Sequence, residues 1–155
     1  MDDQNEHTLV QLYDAGTGET YTLHDFGTGG GTFGYSQWSP DGTQFAFSYT
    51  AQFSTDTDKY GRNDEEIYVI NADGTGLVDV SNEPGWDLKP LWSPDGTKIA
   101  FRHHKPESPD PTDIIYVVNR DGSEKTALTP AAPNASISLA GWPPDSSGLT
   151  YLATY

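Results

Sequence analysis

Trp38-Ser39-Pro40-Asp41-Gly42-Thr43 occurs again, 54 residues on, as Trp92-Ser93-Pro94-Asp95-Gly96-Thr97. A third, degraded copy follows after 50 more as Trp142-Pro143-Pro144-Asp145-Ser146-Ser147-Gly148. Each copy is turn chemistry: Pro presets φ, Asp bonds nearby backbone, and Gly accepts positive φ. Behind the turn come Gln44-Phe45-Ala46-Phe47 and Lys98-Ile99-Ala100-Phe101, short runs of apolar and aromatic residues that read as strands.

Working outward, a second marker alternates with the first. Ile67-Tyr68-Val69-Ile70-Asn71-Ala72-Asp73-Gly74 matches Ile115-Tyr116-Val117-Val118-Asn119-Arg120-Asp121-Gly122, and Leu12-Tyr13-Asp14-Ala15-Gly16-Thr17-Gly18 is a looser relative. Asn-Ala-Asp-Gly and Asn-Arg-Asp-Gly are hairpin turns after β-branched and aromatic strands. No window carries sustained helical periodicity. One repeat therefore holds four strands, A to D, with A ending at the Trp and C being the Ile-Tyr-Val run. They fall at about 34–38, 44–49, 66–71 and 77–81, then at about 88–92, 98–103, 114–119 and 125–129. Four antiparallel strands repeated at this period predict all-β propeller blades.

These markers resemble the WD40-like PD40 repeats of TolB-type β-propellers, with the similarity densest over 36–81 and 88–129. Related blades occur in the propellers of prolyl-oligopeptidase-type enzymes. The resemblance implies a binding scaffold more than a chemistry, and it implies a periplasmic or extracellular setting.

The ends of the chain add half a blade each. A C and a D strand are expected at about 8–13 and 19–24, and an A and a B strand at about 137–142 and 149–154. The reading is one half-propeller domain over 1–155: a split blade from 8–24 and 137–154, with full blades at 34–81 and 88–129. Rings need roughly four to eight blades, so three blades' worth leaves open edges that invite another chain. A homodimer closing a six-bladed ring is the leading expectation. A piece of a longer propeller and an open filament are the alternatives.

Composition narrows the partners. Asp and Glu number 23 against 8 Lys and Arg, a net charge of −15. That surface repels phosphate backbones and anionic lipid, so neither nucleic acid nor a membrane is an expected partner. Basic protein partners and hard cations remain open. With no Cys, thiolate chemistry is excluded. No run is long enough to span a membrane, and Met1-Asp2-Asp3-Gln4-Asn5-Glu6 is unlike a signal peptide.

Strand alternation puts the tight A–B and C–D turns on one face and the longer loops on the other. Those loops are expected at 50–65 and 104–113 (B–C) and at 25–33, 82–87 and 130–136 (D–A). Binding is expected on this loop face, at Asp56, Asp58, Asp64, Glu65, Glu66, Asp87, His103, Asp110 and Asp113, with Glu83 and Glu107 nearby. Asp56-Thr57-Asp58-Lys59-Tyr60-Gly61 has the oxygens and sixth-position Gly of a calcium loop. It departs from that pattern at Tyr60 and Ile67, so a solvated acidic loop is the plainer reading and Asp56 and Asp58 are the candidate metal ligands. His103 and His104 are adjacent on a strand and project to opposite faces, a poor bidentate pair.

Gly29-Gly30-Gly31-Thr32-Phe33-Gly34 matches a dinucleotide pattern in letters only. That motif needs a following helix, and the segment reads as a flexible loop. Trp38, Trp92 and Trp142 read as packing residues. Asn134-Ala135-Ser136 fits a glycan acceptor. There is no Gly-x-Ser-x-Gly elbow, and His7, His24, His103 and His104 have no triad or zinc spacing. The expected function is a non-enzymatic scaffold for protein binding or self-assembly. A propeller hydrolase with a divalent ion in its channel, and the propeller portion of a peptidase, are the alternatives.

Overall fold

The computed structural model describes residues 7–51, 64–105, 112–129 and 136–154. Among these residues lie twelve strands: β1 (His7–Asp14), β2 (Glu19–Thr28), β3 (Gly31–Trp38), β4 (Gln44–Ala51), β5 (Glu66–Asn71), β6 (Val78–Asp79), β7 (Trp86–Trp92), β8 (Lys98–Lys105), β9 (Thr112–Asn119), β10 (Thr126–Ala127), β11 (Ser136–Gly141) and β12 (Thr150–Thr154). They form two four-stranded antiparallel meanders, β3-β4-β5-β6 and β7-β8-β9-β10, and two hairpins, β1-β2 and β11-β12. The chain is an all-β propeller fragment.

The turn signature works as expected from its letters. In the first copy the Ser39 hydroxyl donates to Asp41 Oδ1 at 2.6 Å and accepts from Gln44 N at 3.0 Å. Thr43 donates to the same carboxylate oxygen through N at 3.0 Å and Oγ1 at 2.7 Å. Ser93, Asp95, Thr97 and Lys98 repeat the pattern. Asp145 keeps only the two bonds from Ser147. Gly42 and Gly96 sit at φ 70° and 69°, where a side chain is strained.

The sheets stack face to face, each strand sending alternate residues to the two neighbours. Ala46, Ile67, Val69 and Val80 meet Trp92, Ile99, Phe101 and Val118 between the two full sheets. Phe47, Tyr49 and Ile70 meet Val10 and Leu23 of the first hairpin. Ile115 meets Ile137 and, around it, Leu139, Leu149 and Ala153 of the last. Burying a large aliphatic or aromatic side chain contributes ~1.5–3 kcal/mol, so these interlayer faces carry the fold.

Three expectations need correction. The segment 25–33 is not a loop: β2 runs to Thr28 and β3 starts at Gly31, leaving Gly29 and Gly30 at φ 126° and 74° as the joint. The cause is Phe26 and Phe33, whose rings pack with Tyr49 and hold both strands out to the joint. His104 and Asp113 are not loop residues either. They sit opposite each other on β8 and β9, joined by a 2.8 Å hydrogen bond. Finally, 82–87 ends inside β7, which starts at Trp86.

Candidate functional site

At the loop end of the two full sheets, the starts of β5 and β7 come side by side. Glu65 N donates to Gly85 O at 3.1 Å and Asp87 N to Glu65 O at 2.6 Å, a short parallel bridge between the backbones of the two stacked sheets. Gly85 permits the approach. At φ 142°, a Cβ there would lie 2.7 Å from His103 Cε1 and 2.9 Å from His104 O.

This bridge gathers four of the residues singled out in the sequence. Asp87, fully buried, takes a 2.7 Å hydrogen bond from His103 Nδ1, and the His103 ring is 2% exposed. The pairing follows from register, since Asp87 and His103 are cross-strand partners. The ring lies edge-on to Tyr116, 5.7 Å between centroids. Glu65 accepts from Ser48 Oγ at 2.6 Å, and Glu66 accepts from Ser81 Oγ at 2.5 Å.

Crowding of acids sets their protonation. Burial pushes Glu66 up to about 8. Ser81 opposes the shift, while the charges of Asp87 and Asp79 and a hydrogen bond shared with Asp87 reinforce it. Burial also raises Glu65 and Asp79. Asp87 Oδ2 is buried with no hydrogen-bond partner among the described residues, and the neighbouring acid Glu66 is the group whose raised pKa gives it a proton to share.

Beside this cluster lies a polar pocket of about 200 Å³ lined by Tyr49, Ala51, Asp64, Glu66, Tyr68, Asp79 and Asn82. Its wall carries three carboxyl groups and two phenols. Burial raises Tyr49, and it takes Tyr68 to about 12, so both rings present neutral hydroxyls at physiological pH.

The remaining predicted residues are placed elsewhere or lie outside the described residues. Asp113 faces the other side of its sheet. Its Oδ1 bonds His104 at 2.8 Å and its Oδ2 accepts from Ile137 N at 3.0 Å, tying β9 to β11. Glu83 pairs with Lys125 at 3.0 Å. His103 and His104 do project to opposite faces, each with its own aspartate. Asp56, Asp58, Glu107 and Asp110 fall outside the described residues, and with them the calcium expectation. Among the described residues, no three His, Asp or Glu side chains converge in a way that would hold a metal ion.

Sequence reasoning missed Ser81 and Asp79. A signal existed: Ser81 and Thr129 occupy the same repeat position, and each side chain accepts from the matching C-strand amide, Ile67 N at 2.8 Å and Ile115 N at 2.9 Å.

No protein-family model matches the sequence. Over 38 residues, 24% of the chain, it is 50% identical to a Protein TolB homolog of Chlorobium luteolum. Over 119 residues, 75% of the chain, it is 27% identical to Dipeptidyl-peptidase 5 of Porphyromonas gingivalis. It spans only 9% and 17% of the lengths of these two relatives. Among solved structures, TolB from Acinetobacter baumannii matches 94% of this chain with 34% of its own, at TM-score 0.55 and 21% identity. An oligogalacturonate lyase in complex with manganese matches 99% of this chain with 44% of its own, at TM-score 0.70 and 18% identity. At those identities the likeness is one of fold. Alternating markers, blade-like sheets and these likenesses agree on the fold: the chain is built of β-propeller blades, and its repeats are similar to those of TolB.

Proposed function

We propose that the chain is an assembly and binding module, a half-propeller that closes with a second copy and offers an acidic loop face to a basic protein segment. The observation that carries this reading is the pair of hairpins. Among the described residues both are two-stranded; on the repeat, β1-β2 is read as the C and D strands of a blade and β11-β12 as the A and B strands, so each would complete the other. Two such chains make six blades. The pocket beside Glu66, with Asp64, Asp79 and two tyrosine hydroxyls, suits a lysine or arginine side chain or a small amine. A periplasmic or extracellular setting and calcium in the acidic loop around Asp56 and Asp58 are further parts of this proposal, resting on the family resemblance and the loop composition respectively.

Light scattering at two protein concentrations tests it. A species of twice the 16.9 kDa chain mass supports the reading; a monomer at every concentration overturns it.

A second reading has its own support, since the likeness to Dipeptidyl-peptidase 5 runs through three quarters of the chain. There the blades would be part of a peptidase propeller, with catalysis carried by a separate domain. A parent gene encoding such a domain would favour it. The fold-level likeness to a manganese-bound lyase motivates one further check. A thermal shift with manganese or calcium, and turnover of ester or lactone substrates, would favour a metal-dependent propeller enzyme.

A further inference from the structure

The two full sheets and the last hairpin are joined by a repeated contact. Trp92 Nε1 donates to Gln37 O at 3.2 Å, and Trp142 Nε1 donates to Leu91 O at 3.1 Å. In both, the indole at the end of one A strand reaches the carbonyl of the residue just before the Trp of the preceding A strand. Trp92 is 3% exposed as a result. Trp38 ends the first A strand in the chain, is 38% exposed, and makes no such bond among the described residues. The residue just before the last Trp is Gly141, whose place in the β11–β12 register (opposite Thr150) matches that of Gln37 opposite Ala46 and Leu91 opposite Ala100.

A groove lies on the side of β1 away from β2, where a B strand stands in a full blade. It has a volume of about 180 Å³ and is walled by Leu9 and Val10 of β1 and by Phe33, Phe45 and Phe47 of the adjoining sheet. The repeat supplies the register of its occupant. In β4–β5, Gln44 faces Asn71, Phe47 faces Tyr68 and Ser48 faces Ile67. Gly148 holds the repeat position of Gln44 and Asp14 that of Asn71. Pairing β12 with β1 in the same register places Tyr151 opposite Gln11 and Leu152 opposite Val10. Leu152 is 68% exposed, the most exposed of the large apolar side chains among the described residues.

We infer that this groove is the seat of β12 from a second copy of the chain. Leu152 of one protomer inserts beside Val10, Phe45 and Phe47 of the other, and Trp38 Nε1 donates to the carbonyl of the incoming Gly141. Each protomer gives one hairpin and receives one, so the contact closes with two-fold symmetry. This inference rests on the half-propeller reading and adds the register and the anchoring residues to it.

The chain has no Cys, so paired thiols can be introduced on a clean background. The variant Gln11→Cys/Tyr151→Cys is oxidised and compared with Gln11→Cys/Ala153→Cys, whose second thiol lies opposite Leu9, two pairs out of register. The inference expects a covalent dimer from the first and at least tenfold less from the second, with free-thiol loss matching dimer yield. Equal yields from both, or crosslinking within single chains, overturn the register.

Leu152→Asp is the second measurement, chosen because the side chain is exposed in the single chain. Dimer affinity is expected to fall about 100-fold while the circular dichroism of the chain is unchanged. Unchanged affinity overturns the anchoring role. A stable wild-type dimer with either negative result leaves the half-propeller reading standing and removes only this interface. A monomeric wild type removes both.

Discussion

Trp38 and Trp92 occupy the same position in the same motif, and only one of them is buried. Trp92 has a preceding full sheet to dock on, with Gln37 O accepting from its indole and Gln37 Oε1 accepting from its backbone N at 2.9 Å. Trp38 has the two-stranded sheet β1-β2 in front of it, which among the described residues offers its indole no A-strand carbonyl. The same contrast separates β8, whose interior residues are buried, from β12, which is mostly exposed. A blade motif is thus a local instruction for turn and strand, while burial comes from the neighbouring blade. Repeat architectures share this property: each unit covers its face with the next.

The largest expected effect is at the buried member of the pair. Trp92→Ala should cost about 3–5 kcal/mol in urea unfolding, as for other large aromatic deletions in cores. Trp38→Ala should cost about 1 kcal/mol or less in the isolated chain and weaken self-association instead. Similar unfolding costs at the two positions in dilute protein would break the comparison.

The next effect concerns the bridge between the full sheets. His103→Ala leaves the Asp87 carboxylate buried without its donor, and unfolding free energy should fall by about 3 kcal/mol. His7→Ala removes an equally short bond to Asp25 at a site where both side chains are two-fifths exposed. It should cost well under about 1 kcal/mol. Equal effects would mean that burial does not govern these pairs.

Glu66 sharpens the same point through pH. Its folded pKa lies above its ordinary value of 4.5, near 8, so the folded chain holds a proton that the unfolded chain releases. Stability therefore declines as pH rises from about 4.5 to about 8 and levels off above. Glu66→Gln removes the titrating group and with it this slope. Near pH 8 the variant should gain about 1–2 kcal/mol, discounted for the partly exposed carboxyl. Parallel pH profiles for the two proteins would contradict the assignment.

The smallest effect is at the exposed turns. Bonds from Ser39 and Thr43 lower Asp41 to about 2, and those from Ser93 and Thr97 do the same for Asp95. Depressed folded values mean that their contribution is present above the ordinary 3.8 and is lost as pH falls from there towards 2. Asp41→Asn should flatten the acid limb of the stability curve and leave pH 7 nearly unchanged.

The strands were legible because their turns are written in residues with special backbone demands. Asp41-Gly42, Asp95-Gly96 and Asn71-Ala72-Asp73-Gly74 each bound a run whose alternation is complete in itself. The joint at Gly29-Gly30 was not legible as strand, because its order comes from Phe26 and Phe33 packing on Tyr49, a residue on another strand. The candidate site was legible as acids but not as a site. Glu66 and Asp87 are 21 positions apart, and their meeting depends on the Glu65–Trp86 bridge and on the space Gly85 leaves for His103. Asp113, equally acidic in the sequence, went to the opposite face through strand parity, where it anchors Ile137 N.

Hydrogen exchange at β1 tests most directly whether the open hairpins are completed by another copy. The β1 amides that point away from β2 have no strand partner among the described residues. The account predicts that at high protein concentration they exchange as slowly as the amides of β5, and that protection falls on dilution below the dimer dissociation constant. Rapid exchange of these amides at every concentration, beside protected amides in β5 and β8, would contradict it.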